Sequence, residues 1–127
     1  MGLEELVTAC HQLGVHVVFK PFIYDGAYYH RYQLIVIDAR LPIRMQRCIL
    51  AHEYIHALHG HDGHQRTAIE RRVTRDAARL LISPAEYRLT EQIYEGEVWQ
   101  IAEELDVTVE FIHAYQEWLT ELSESCS

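Results

Sequence analysis

His52, Glu53 and His56 bring two imidazoles and a carboxylate, groups that bind metals and move protons, into one short stretch of this chain. The two histidines stand four apart in the stretch from Cys48 to Leu58, so on a helix their rings leave one face into a shared volume, as two imidazole ligands of one zinc ion must. Glu53 lies beside them, three residues before His56, where a carboxylate can serve as general base without ligating the metal. This is the HExxH pattern of zinc-dependent hydrolysis. Its flanks are apolar at Ile49, Leu50, Ala51, Tyr54, Ile55, Ala57 and Leu58, which predicts a helix buried on nearly every side. Polar groups left unpaired in such a core cost roughly 2 to 7 kcal/mol each, whereas metal ligation and its surrounding hydrogen bonds would satisfy them.

A third ligand must come from elsewhere in the chain. His59 shares the stripe of His52 and His56, but seven residues of helix place it about 10.5 Å along the axis from His52, which is too far. Asp62 follows His52 by ten residues, the metzincin spacing, yet His59 stands where that pattern has glycine and no Met-turn follows. A helix over about Arg66 to Ile82 offers better candidates. Glu70 borders its apolar stripe, on a face with Val73, Thr74, Ala77 and Leu81, and is the preferred third ligand. Asp76 also faces inward and is the runner-up, either as ligand or as a carboxylate that orients a ligating histidine. His61 and His64 are outer-shell donors or plain loop residues.

The helices and strands around these groups can be read in chain order. Leu3, Leu6, Val7, Cys10 and Leu13 recur at helical spacing, with Glu4 and Glu5 in the first turn and Gly14 as a stop. Val15 to Phe19 and Tyr32 to Ile37 are β-rich runs and Asp25-Gly26 is a turn signal, predicting a small antiparallel sheet with Ala27 to Tyr29 as a further strand. An edge strand of that sheet could receive an extended peptide. Pro42 suits the start of the motif helix and Gly60 its end. On the Glu70 helix, Arg71, Arg75 and Arg79 form a basic stripe expected either to face solvent or to pack near the acidic C-terminal segment. Ser83-Pro84-Ala85-Glu86 opens another helix as a capping box, and Thr108 caps a last one to Leu122 that buries Phe111, Ile112, Tyr115, Trp118 and Leu119.

Composition bounds the rest. With 127 residues, 49% hydrophobic and 24% charged, the chain reads as one domain over 1–127 with ordinary globular composition and no membrane span. The first residues lack the basic leader and apolar run of a secretory signal, and Cys10, Cys48 and Cys126 are too scattered for a disulfide framework. A cytoplasmic protein is expected. Residues 84 to 127 hold eleven acids against Arg88 alone, which argues against nucleic acid as a partner.

The residues from Arg47 to Leu58, then Glu70, then Ala77-Ala78-Arg79-Leu80-Leu81-Ile82-Ser83-Pro84, together with Asp25 to Tyr28 and Leu34 to Asp38, resemble the ImmA/IrrE family of small zinc metallopeptidases over roughly residues 13 to 84. That resemblance implies His52 and His56 as ligands, Glu53 as catalytic acid/base and Glu70 as third ligand. It implies an α+β zincin-like, gluzincin-like fold whose small antiparallel sheet packs on the buried motif helix, followed by a mostly helical cover over 84–122. It also implies a phage or mobile-element setting and a protein substrate, in particular a transcriptional repressor. Arg72 stands where many members carry an acid, and Asp76 where a bulky apolar residue is usual.

The resulting expectation is a zinc-dependent endopeptidase, with the oxyanion helper open between a tyrosine of Tyr24 to Tyr32 and His64. Two rivals stand beside it. One is a zinc-stabilised adaptor that binds a regulator without cutting it, although Glu53 would then have no task. The other is a helix-turn-helix DNA-binding protein, suggested by Ile101 to Thr108, whose recognition helix would offer Glu110, Glu117 and Glu121 to phosphate.

Overall fold

A computed structural model describes residues 1–125, so Cys126 lies outside the described residues. In chain order the elements are α1 (Leu3–Gln12), β1 (His16–Lys20), β2 (Gly26–Tyr29), β3 (Leu34–Asp38), α2 (Ile43–His59), α3 (Thr67–Leu81), α4 (Pro84–Tyr94), α5 (Val98–Leu105) and α6 (Val109–Ser125). The α+β class and the helical C-terminal part are as the sequence predicts.

The sheet differs in one respect. Its order is β1-β3-β2, with β2 antiparallel to β3 but β1 parallel to it, so the sheet is mixed rather than antiparallel. The reason lies in the connections. A 3-10 turn at His30–Tyr32 closed by Gln33 in the left-handed region (φ 48°) folds β2 straight back into β3. Gln33 locks it by donating from Nε2 to the His30 carbonyl at 2.8 Å and to the Tyr28 hydroxyl at 3.0 Å. The chain from β1 has already passed over the place β3 then fills, so β3 enters between them in the direction of β1. Leu34-Ile-Val-Ile-Asp38 suits that central place, because every residue after Leu34 is buried.

The motif helix α2 is the centre of the molecule. It packs against α1, β2, β3 and α3, and no residue from 44 to 57 is exposed. Gln46, itself buried, pins the entry to α2 by donating from Nε2 to the carbonyls of Leu41 (2.7 Å) and Ala39 (3.2 Å). Gly60 ends the helix at φ 65°, a conformation that costs a side-chain-bearing residue roughly 1 kcal/mol or more.

Beyond α2, α3 carries α6, and α6 meets the α4–α5 pair through α5. The basic stripe meets the acidic segment: Arg71 pairs with Glu117, and Arg75 with Glu117 at 3.1 Å and Glu121 at 2.6 Å. Arg79 stacks over the Trp118 ring at 4.3 Å. The α6 acids that a recognition helix would present at positions 117 and 121 are therefore already engaged within the chain. Ser83 and Thr108 cap their helices as expected, accepting from the backbone N–H of Glu86 and Phe111. Cys10 and Cys48 are free thiols in the core, and burial pushes Cys10 up to about 11. Among the described residues, no helix is long and apolar enough to cross a membrane.

One backbone approach sets where β2 lies on α2. A Cβ added to Gly26 would stand 2.4 Å from Ile49 Cγ2 and 3.2 Å from Ile37 Cδ1. The clash is with a branch next to the helix backbone, which cannot swing away as a chain end would. Gly26→Ala is thus expected to push β2 off the motif helix and to cost about 1 to 3 kcal/mol, read as a lowered thermal midpoint.

Candidate metal centre

Convergence is the main feature of the site. The rings of His52 and His56 lie edge to face with centroids 4.9 Å apart, one turn of α2 from each other. Glu70 reaches them from the first turn of α3, its Oε1 standing 3.1 Å from His52 Nε2 and 3.0 Å from His56 Nε2. These three side chains form a group that could hold a metal, with one ligand atom from each lying within 4.8 Å of the others. Two donors bonded at ~2.0 to 2.1 Å to one ion in a tetrahedral shell lie roughly 3.3 Å apart, close to the two distances from Glu70 Oε1, and a His, His, Glu donor set is one that zinc accepts.

Each of the three is also held from behind. Thr74 Oγ1 lies 3.2 Å from His52 Nδ1, His61 Nδ1 lies 2.9 Å from His56 Nδ1, and the Gln65 backbone N–H donates to Glu70 Oε2 at 2.9 Å. The turn at Gly60 makes the second of these possible, since it returns His61 N–H to the His56 carbonyl at 3.1 Å and so brings the two rings together. Such outer contacts fix ring orientation and tautomer. His64 is exposed, with Nδ1 at 3.6 Å from Glu70 Oε2.

Asp76 is not brought into this group, and its nearest ionic partner is Arg79 at 4.0 Å. Asp62 lines the cleft without joining the three, and the exposed His59 stacks on His61. The orienting parts of Thr74 and Gln65 escape sequence reading. Thr74 does carry a signal, one helical turn after Glu70 on the same face. Gln65 contributes only a main-chain N–H, which has none.

The electrostatics follow from burial. Glu53 is 9% exposed, and desolvation, aided by the negative charge of Glu70 and opposed by the Tyr28 backbone N–H, pushes its carboxyl up to about 7. Burial, with the neighbouring His52 next, lowers His56. Burial alone would raise Glu70, but the Gln65 N–H and the two histidines together hold it below the usual carboxylate range.

A Glu53 carboxyl at about 7 when folded and near 4.5 when unfolded binds more protons in the folded state between those values, so stability is lost as pH rises through that window. Its cost at neutral pH is on the order of 3 kcal/mol in the metal-free chain. Glu53→Gln removes that cost. Chelator-treated variant and wild type should show similar urea midpoints at about pH 4, and the variant should be the more stable at about pH 8. The His56 shift works in the opposite direction, favouring the fold as pH rises, but is common to both chains.

The site opens into a cleft of about 820 Å³ walled by His52, Glu53, His56 and Glu70 on one side and by Gly26 to Tyr32 on the other. Tyr24, Tyr28, Tyr29, Tyr32 and His64 all line it, though the Tyr28 hydroxyl is already bonded to His30 and Gln33. Strand β2 presents its free edge there. Asp38 N–H donates to the Asp25 carbonyl, so by alternation Ala27 and Tyr29 bond β3 while Gly26 and Tyr28 turn their main-chain groups outward. The Tyr28 N–H accordingly reaches Glu53.

A family model described as Peptidase_M78, the IrrE N-terminal-like domain, matches residues 10–114, from the end of α1 into α6 and so well beyond residue 84. No curated protein matches the sequence.

Proposed function

Because the chain belongs to the Peptidase_M78, IrrE N-terminal-like family, we propose that it is a zinc-dependent endopeptidase acting on a protein substrate. The observation that carries this is the convergence of His52, His56 and Glu70 beside buried Glu53 in a cleft bounded by a free strand edge. His52, His56 and Glu70 are the ligands in this reading. When bound there, zinc acidifies water and polarises the carbonyl to be attacked.

The chain's own residues do the rest. His52 and His56 turn Nε2 lone pairs inward and carry their protons on Nδ1, donating to Thr74 Oγ1 and His61 Nδ1. Glu53 takes a proton from the attacking water onto its carboxylate and returns it to the leaving amine. The outward main-chain groups of Gly26 and the Tyr28 carbonyl support pairing with an extended peptide, which would lay its backbone across Glu53.

In this reading the whole chain is one catalytic unit, with 84–122 as its helical cover. A cytoplasmic location is supported by the free thiols Cys10 and Cys48. The family resemblance supports a phage or mobile-element setting and a transcriptional repressor as the substrate.

The test is a proteome-derived peptide library incubated with zinc-loaded protein and searched by mass spectrometry for new termini. Cleavage by wild type that a chelator abolishes is expected. A library left intact under all metal conditions would leave a metal-binding adaptor in its place.

A further inference from the structure

Resting on the peptidase reading, we propose that the smaller recess beside Glu53 is a specificity pocket for a basic side chain, lysine or arginine, of the substrate. The recess has a volume of about 230 Å³ and shares Gly26, His52 and Glu53 with the main cleft, so it opens on the same reacting position. It is smaller than the ~300 to 1,000 Å³ of ordinary cofactor and small-molecule sites and suits one long side chain.

Its walls divide by chemistry. Met45 and Ile49 of α2 and Phe111 of α6 supply apolar surface. Asp25, before β2, and Glu110, in the first turn of α6, bring exposed carboxylates to it from two separate elements. No lysine or arginine is among its lining residues. Among the described residues neither carboxylate forms an ion pair, whereas Asp106, Glu117 and Glu121 each hold an arginine. Lysine and arginine match such a pocket because an aliphatic stem leads to a cationic head. The stem would lie along Ile49, Met45 and Phe111, and the head would meet Asp25 and Glu110. An acidic side chain would be repelled, and an aliphatic one would gain nothing from the two carboxylates.

The test reads binding and not cleavage, so its outcome does not depend on peptidase activity. Zinc-loaded protein is titrated with N-acetyl amides of arginine, lysine, norleucine and glutamate while the backbone amide signals of Gly26 and Phe111 are followed by NMR. The arginine and lysine compounds are expected to move those signals with an affinity about tenfold above that of norleucine. Glu110→Lys, and separately Asp25→Asn should one variant fold poorly, should bring them down to the norleucine level. Equal binding of norleucine, or arginine binding that neither variant weakens, would overturn the pocket's assignment while leaving the peptidase reading to its own test.

Discussion

Glu53→Gln is expected to lower peptide hydrolysis by about two to four orders of magnitude and to leave the metal content at the wild-type level. The size of the loss follows from what the amide lacks: it keeps the shape and polarity of the carboxyl but cannot accept the proton of the attacking water. Retention of the metal follows from position, because Glu53 is separate from the three side chains that form the candidate ligand group. Assays on the peptide library, with metal measured in the same samples, check both halves. Unchanged hydrolysis would remove Glu53 from the mechanism, and lost metal would make it a ligand.

The second large effect falls on the metal itself. Glu70→Ala removes the oxygen that stands 3.0 to 3.1 Å from both imidazoles, and His56→Ala removes a buried nitrogen donor. A ligand that binds only the folded chain stabilises it by about 4 kcal/mol at a thousandfold excess over its Kd, which for a domain of this size raises the thermal midpoint on the order of ten degrees. Wild type should show that rise on adding zinc and the two variants should not. Thr74→Val leaves all three donors in place and frees the His52 ring, so it should weaken zinc by about ten- to a hundredfold without abolishing it. Calorimetric titration separates the three outcomes.

Much of this architecture is legible in the sequence because local signals and tertiary structure agree. Gly60, Ser83 and Thr108 end or begin helices where their chemistry predicts, and the Arg71 and Arg75 stripe meets the acids of α6. The spacing of His52, His56 and Glu70 likewise anticipates their approach in space. Asp76 falls away because six residues on a helix turn it about 240° from Glu70, onto the flank of Arg79. Strand order is not legible, since alternation assigns faces and not neighbours. The buried run of β3 is the one hint of a central strand. Least visible are contributions made by main chain, namely the Gln65 N–H on Glu70 and the Tyr28 N–H on Glu53, which any residue but proline could supply. The contact of His61 with His56 needs the left-handed turn at Gly60 as well as the histidine itself.

Metal per chain, measured by elemental analysis on protein purified without a His tag, decides whether His52, His56 and Glu70 hold an ion. About one zinc is predicted in wild type and in Asp76→Ala, and next to none in His56→Ala and Glu70→Ala. Wild type that holds no zinc even after incubation with it, or a Glu70→Ala chain that keeps the metal while Asp76→Ala loses it, would contradict the site described above.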